Sequence, residues 1–197
     1  MTSIATLSGR VIDFVNPDPD QVLLDDIAAG LARHARYTGQ TVRTYSVAMH
    51  CMLVASLVAP EHRLHALLHD APEAYTGDAP SPFKEAMRTL ARFTGHQSPY
   101  DTVEHGLWKA ICRRYDLASE LPPEVARADH FAMVIEAPIL QPKGWQHAVW
   151  DFARADEREV AGAHREQLLK LCALPQGGYT AYLWDVTGEL ARRRATA

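Results

Sequence analysis

The chain has 197 residues, of which 47% are apolar, and its formal net charge is −4 with histidine counted as neutral. This length suffices for one domain with a sizeable core. So mild a charge gives no basis for a nucleic-acid groove or a polybasic membrane surface, and we expect neither stable nucleic-acid binding nor membrane attachment.

The sequence also argues against membrane insertion and secretion. No stretch is long and apolar enough to span a bilayer, and the first residues lack the basic start and apolar block of a signal peptide. The cysteines Cys51, Cys112 and Cys172 are odd in number and form no CxxC pair, so a disulfide framework is not expected. A cytoplasmic protein fits these features best.

The chain is predicted to be almost wholly helical after its first residues. Residues 4–15 alternate loosely around Ser8 and Gly9, which fits a short N-terminal hairpin or ribbon. Apolar spacing then predicts helices at 23–36, 45–59, 61–75, 82–93, 100–116, 123–140, 148–172 and 179–194. Thr44 is the expected N-cap of the 45–59 helix, and Gly162 could divide the 148–172 segment into two helices. We therefore predict one all-α domain over 1–197, with its core at about 23–140 and C-terminal packing helices at about 148–194.

Two of these helices carry side chains that are costly to bury. His50 lies in the middle of the most apolar segment, and His69 and Asp70 stand side by side in the next helix. Packing of the two helices as antiparallel neighbours would bring His50 close to His69. Taken singly, His50 could be a core histidine bonded to a carbonyl, and Asp70 could end its helix before Pro72. A single divalent cation explains all three residues together, because it needs neutral imidazoles and carboxylates as ligands.

A fourth ligand is expected from the 123–140 helix. Asp129 shares a helix face with Val125 and Ala132, and Glu136 lies two turns further along that face, where it could support the ligands from behind. The alternative is that Asp129 is an ordinary surface residue. A set of two imidazoles and two carboxylates admits Mn, Co, Fe, Zn or Ni, so the sequence predicts one divalent metal without naming it.

The local sequence around these residues resembles a known superfamily. "RTYSVAMH" at 43–50, "ALLHDAPEAYTGDAPSPFK" at 66–84 and "ARADHFAMVIEA" at 126–137 resemble HD-domain metal-dependent phosphohydrolases. They are similar to the YfbR-type 5′-deoxynucleotidases, and closer to phage and bacterial relatives that include dATP triphosphohydrolases. The resemblance covers roughly residues 7–140. It implies an HD-domain helical bundle, a nucleotide substrate and a homo-oligomer.

The resemblance also implies a role for particular residues. It implies metal ligands at His50, His69, Asp70 and Asp129. It implies catalytic acids at Glu73 and Asp78, and substrate contacts at Arg36, Tyr37 and Lys84. Tyr37 stands where YfbR-type enzymes have tryptophan, so discrimination against ribose stays open. Independently of the resemblance, Glu73 lies within one helical turn of His69 and Asp70 and can face the same pocket.

We therefore expect a metal-dependent phosphohydrolase of (deoxy)nucleotides, either a 5′-deoxynucleotidase or a dNTP triphosphohydrolase. Two alternatives stay open: a di-iron HD oxygenase, which would need His96 and His105 as further ligands, and a non-catalytic nucleotide-binding HD module. His65 forms an HxxxH pattern with His69, but Ala66 stands where zinc proteases carry glutamate, which disfavours a metalloprotease.

Overall fold

The computed structural model describes residues 1–142 and 155–196, and α-helices dominate them. Two short antiparallel strands, β1 (Ser3–Ala5) and β2 (Val11–Asp13), come first. The helices are α1 (Leu24–Arg33), α2 (Val47–Ser56), α3 (Arg63–Leu68), α4 (Glu73–Thr76), α5 (Ser81–Phe93), α6 (Pro99–Tyr115), α7 (Pro123–Leu140), α8 (Ala155–Gly162), α9 (Arg165–Cys172) and α10 (Tyr179–Thr196). The predicted all-α bundle with a short N-terminal hairpin is confirmed.

The N-terminal hairpin is tied to α1 by a buried carboxylate. Gly9 adopts a φ of +82° in the turn between the strands, a conformation that glycine takes at little cost. Asp26 of α1 accepts hydrogen bonds from the Ser8 backbone N–H at 2.8 Å and from the Ser8 hydroxyl at 2.7 Å. With Ile12 of β2 fully buried, these contacts fix the hairpin against the helical core.

Helix α2 is the centre of the core, because residues all round it are buried, as its uniformly apolar sequence predicts. Its N-cap is Ser46, whose hydroxyl accepts from the Met49 N–H at 3.2 Å and donates to the Gly177 carbonyl at 2.5 Å. The expectation that Thr44 caps this helix is wrong. The chain stays extended through Ser46, which pairs with Ala35, so the helix begins later than predicted.

The predicted helix over 61–75 is divided in two. Helix α3 ends before His69, and α4 begins after Pro72, because proline has no N–H with which to continue the helical hydrogen-bond ladder. Tight turns replace it: the Ala71 N–H donates to the Leu68 carbonyl and the Glu73 N–H to the Asp70 carbonyl, each at 2.9 Å. His69 and Asp70 therefore lie in a turn.

The remaining helices close the core around α2. Helix α7 has the predicted bounds. The predicted 148–172 segment contains two helices, α8 and α9, on either side of Ala163 and His164, as Gly162 suggested. Residues 148–154 of that segment lie outside the described residues. Helix α10 packs on α1, α2 and α3, and its Tyr182 hydroxyl donates to the Leu67 carbonyl at 2.7 Å. No helix within the described ranges is both long and apolar enough to cross a membrane. The single-domain assignment stays a prediction.

Candidate metal and anion site

The four predicted metal ligands converge from three elements. His50 comes from the middle of α2, His69 and Asp70 from the turn after α3, and Asp129 from α7. His50 Nε2 lies 3.0 Å from Asp129 Oδ1 and 3.5 Å from Asp70 Oδ2. His69 Nε2 lies 3.3 Å from Asp70 Oδ2 and 3.7 Å from Asp129 Oδ1. Two imidazole nitrogens and two carboxylate oxygens therefore face a common point.

Both imidazoles are held so that Nε2 faces that point. His50 Nδ1 lies 2.6 Å from a Glu136 oxygen, and His69 Nδ1 lies 2.7 Å from the Ala66 carbonyl. Because both partners are acceptors, each Nδ1 carries a proton. Nε2 is therefore the nitrogen that is available to coordinate a metal. His69 Nε2 is buried and has no hydrogen-bond partner within the described ranges. This orphaned nitrogen, with two carboxylates beside it, fits a divalent cation.

Protons can also balance the charges of this cluster. Burial and the Arg36 guanidinium lower the pKa of His50, but Glu136 and Asp129 outweigh them and raise it to about 9. Burial raises the pKa of Asp129, but hydrogen bonding to His50 and His69 outweighs it and holds that pKa well below its ordinary value. These shifts favour a proton on His50 Nε2 that is donated to Asp129 Oδ1. A cation would take its place, so metal binding is coupled to proton release.

Glu136 of α7 lies behind the cluster, fully buried. Besides its contact with His50, its second oxygen accepts from the Tyr37 hydroxyl at 2.9 Å and from Arg36 Nη2 at 3.4 Å. The expected support of the ligands by Glu136 is therefore present as a direct hydrogen bond. Arg36 also approaches the predicted ligand Asp70, with Nη1 at 3.9 Å from Oδ2.

The segment that carries Arg36 and Tyr37, two of the predicted substrate contacts, has an unusual backbone. Tyr37 and Thr38 have φ of 56° and 53°, and Gly39 follows at 76°. Successive left-handed residues other than glycine are energetically unfavourable and cluster at functional sites. The segment lines a cavity of about 540 Å³ together with Asp70 and Asp78. The structure thus places Arg36, Tyr37 and Asp78 around one space next to the ligands.

Glu73 and Lys84 form a largely buried hydrogen-bonded pair beside the predicted ligands. Lys84 Nζ donates to Glu73 Oε1 at 3.1 Å and to Glu104 Oε1 at 2.8 Å. Burial, with the charges of Asp70 and Asp78, raises the pKa of Glu73 to about 8, against the opposing effect of Lys84. Glu73 Oε2 is buried without a hydrogen-bond partner in the described part of the chain. Glu73 therefore holds a proton near neutral pH.

A second cavity, of about 960 Å³, also borders the predicted ligands. It shares Asp70, Glu73, Lys84 and Asp129 with the smaller cavity and is also lined by His69. Exposed His96 and His105 lie on its wall and take no part in the ligand clusters found among the described residues. His65 lies within 3.2 Å of the Ala118 carbonyl and is likewise outside those clusters.

Two contributors were missed by the sequence reasoning. Glu104 of α6 holds Lys84, but twenty residues separate them in the chain and no spacing rule connects α5 to α6. Cys51 forms a further ligand-like group with His69 and Asp70. Its place directly after His50 was the available signal. Burial raises the pKa of the Cys51 thiol to about 11, so it stays protonated at neutral pH.

Comparison with known proteins places the chain in a family. No family model matches it. The chain is 38% identical over 142 residues to the uncharacterized protein RCAP_rcc00048 of Rhodobacter capsulatus, covering 68% of each chain. It is 31% identical over 136 residues to the uncharacterized protein YfdR of Escherichia coli, covering 69% of this chain and 71% of YfdR. The chain belongs to the family that contains these two proteins.

Proposed function

We propose that the chain is a metal-dependent phosphohydrolase of the HD-domain superfamily that acts on (deoxy)nucleotides. One observation carries the proposal: all the residues assigned a role by the resemblance, except His50, line two cavities that meet at Asp70, Glu73, Lys84 and Asp129. His50 lies directly behind them, 3.0 Å from Asp129. Metal ligands, a protonated acid and two cations therefore line two adjoining cavities.

The proposed metal is held by His50, His69, Asp70 and Asp129. When bound, a divalent ion of this kind supplies Lewis-acid chemistry, because it polarises phosphoryl oxygens and lowers the pKa of water towards neutrality. The nitrogen and oxygen ligands admit Mn²⁺, Co²⁺, Fe²⁺, Zn²⁺ or Ni²⁺. The chain contributes by fixing both imidazoles through Nδ1, so that the Nε2 lone pairs need no reorientation.

Glu73 is the proposed general acid. Its raised pKa keeps the carboxyl group protonated near pH 7, and it lines both cavities. In the reaction a water oxygen bonds to phosphorus and loses a proton to solvent while the ester P–O bond breaks. Glu73 gives its proton to the leaving oxygen, which is worth about 10²–10⁴ in rate. Lys84 stabilises the carboxylate formed in that step, since its Nζ already lies 3.1 Å from Oε1. Asp78 raises the pKa of Glu73 by its charge.

The phosphate groups of the substrate are bound by the two cations. Arg36 lines the smaller cavity and offers a planar fork suited to phosphate, while Lys84 lines both cavities and acts as a point charge. Release of phosphate from a deoxynucleoside monophosphate and release of triphosphate from a dNTP would use the same groups. The two versions of the proposal are distinguished by their products.

The other two hypotheses have less support. A di-iron oxygenase needs further histidine ligands, and the candidates His96 and His105 are exposed and outside the ligand clusters of the described residues. A non-catalytic module has no need for a buried Glu73–Lys84 pair, whose burial costs free energy.

Chromatographic product analysis tests the proposal. Purified protein is supplied with Mn²⁺ or Co²⁺ and a panel of NMPs, dNMPs and dNTPs. His69→Ala should abolish turnover, and His65→Ala should not, since His65 lies four residues earlier and outside the ligand cluster. Nucleoside and phosphate from monophosphates identify a 5′-nucleotidase, and nucleoside with intact triphosphate identifies a triphosphohydrolase. Absence of turnover with every substrate and metal would refute the proposal.

A further inference from the structure

Glu136 connects the two halves of the site through a single buried carboxylate. Oε1 faces Nδ1 of the ligand His50 at 2.6 Å. Oε2 accepts from the Tyr37 hydroxyl at 2.9 Å and from Arg36 Nη2 at 3.4 Å. His50 and Glu136 are both fully buried, so water does not replace either contact. The metal side of the site, which contains His50, and the anion side, which contains Arg36 and Tyr37, therefore depend on the same carboxylate.

This arrangement requires a carboxylate. An ionised carboxyl group is acceptor-only and offers one oxygen to each side, whereas an amide has one acceptor oxygen and one donor nitrogen. A glutamine at position 136 could accept from His50 or from the Arg36 and Tyr37 pair, but not from both. If its nitrogen faced His50, the imidazole would have to accept at Nδ1 and carry its proton on Nε2, which blocks metal coordination there.

Arg36 adds an electrostatic connection between the two sides. Its guanidinium contacts Glu136 and also lies 3.9 Å from Asp70 Oδ2, the oxygen that faces both imidazoles. A cation at the cluster would compete with Arg36 for Asp70 and repel the guanidinium. An anion bound to Arg36 would offset that repulsion. Each ligand therefore favours the other, and such coupling is reciprocal.

We propose that Glu136 is a positioning residue that holds His50 for the metal and Arg36 with Tyr37 for the anion, so that metal and anion bind cooperatively. This inference rests on the proposed function only for the nature of the anion, which is phosphate. The metal side of the inference is measurable without turnover.

The test is a Mn²⁺ titration of metal-free protein by calorimetry, with and without inorganic phosphate. Wild type should bind Mn²⁺ at least fivefold more tightly when phosphate is present, in line with ordinary coupling. Glu136→Gln should weaken Mn²⁺ binding by about 10–100-fold and reduce the phosphate effect to near onefold. Glu124→Gln makes the same change on an exposed residue of α7, paired with Arg127, and should match wild type.

Nitrogen-15 NMR of the histidine side chains supplies a readout that a merely structural role would not change. In metal-free wild type the Nδ1 of His50 should be protonated, and in Glu136→Gln its nitrogen shifts should move. Glu136→Asp keeps the charge but loses reach, and it should not restore the phosphate effect; it also carries the test if Glu136→Gln fails to fold.

The inference is overturned if Glu136→Gln binds Mn²⁺ within twofold of wild type, or if Glu136→Asp restores both metal affinity and the phosphate effect. It is also overturned if wild-type Mn²⁺ affinity does not respond to phosphate. A chain that shows the coupling but hydrolyses no nucleotide would refute the proposed function alone, so the two failures are distinguishable.

Discussion

Gly30, in the middle of α1, allows this helix to approach α4 closely. A Cβ at position 30 would lie 2.6 Å from the Ala74 carbonyl oxygen and 2.8 Å from both the Cα and the Cβ of Ala74. These atoms belong to the backbone and its first carbon, so no side-chain rotation can relieve the overlap. Because α4 begins with Glu73, Gly30→Ala should push the proposed general acid away from Lys84.

The size of the effect follows from two opposing terms. Alanine in a helix interior gains about 1 kcal/mol over glycine. Overpacking against fixed atoms costs about 1–3 kcal/mol, and three contacts below 3 Å place Gly30→Ala at the upper end of that range. We expect a net loss of about 2 kcal/mol in the free energy of unfolding. For a chain of this length that lowers Tm by about 4–8 °C.

Gly188→Ala is the matched control for this prediction. Gly188 also lies inside a helix, α10, but a Cβ there meets only the Arg192 side chain, at 3.8 Å. Calorimetric or denaturant unfolding should therefore show Gly188→Ala stabilised by about 0.5–1 kcal/mol and Gly30→Ala destabilised. If the two variants change stability in the same direction by similar amounts, the close contact between α1 and α4 is wrong.

Two further predictions concern the cap of α2 and the proposed acid. Ser46→Ala should lower the free energy of unfolding by about 1–2 kcal/mol, because the cap and the hydrogen bond to the Gly177 carbonyl are lost. Thr44→Ala, at an exposed position, should change it by less than about 0.5 kcal/mol. Equal effects of the two variants in urea titrations would contradict the capping assignment. The pKa of Glu73 is about 8 in the folded protein and about 4.5 in the unfolded chain. Because the folded protein keeps this proton to higher pH, the free energy of unfolding of the wild type falls as pH rises from 4.5 to 8. The loss is about 1.4 kcal/mol for each unit of pKa difference. Glu73→Gln should remove this contribution in metal-free protein, and its stability relative to wild type should rise from pH 5 to pH 8; a difference independent of pH would contradict the raised pKa.

The clustering of the proposed ligand side chains was predictable because most of them conflict with their local pattern. His50 interrupts the most apolar helix, Asp70 places a carboxylate next to an apolar run, and Asp129 shares a face of α7 with the buried Val125 and Ala132. A conflict of this kind is a signal that sequence alone reveals, since burial of a polar group needs a compensating partner. The structure brings these residues together with the predicted His69.

The features that sequence could not supply depend on distances between elements. The break of the 61–75 helix was partly visible in Pro72, but the turn that directs His69 and Asp70 towards α7 depends on how α3 packs. The pairing of Lys84 with Glu104 depends on the approach of α5 to α6. The N-cap of α2 is Ser46 instead of the predicted Thr44, because Ser46 pairs with Ala35 in an extended bridge before the helix begins. Such a contact leaves no local sequence pattern.

Stoichiometric metal reconstitution tests whether nucleotide hydrolysis depends on the metal bound by His50, His69, Asp70 and Asp129. Protein stripped with a chelator is titrated with Mn²⁺, and bound metal and turnover of the best substrate from the nucleotide panel are followed in the same samples. We expect one Mn²⁺ per chain, turnover that rises in step with bound metal, and neither in His69→Ala. Turnover that persists in the stripped protein, or one bound Mn²⁺ per chain without hydrolysis of any nucleotide, would contradict this dependence.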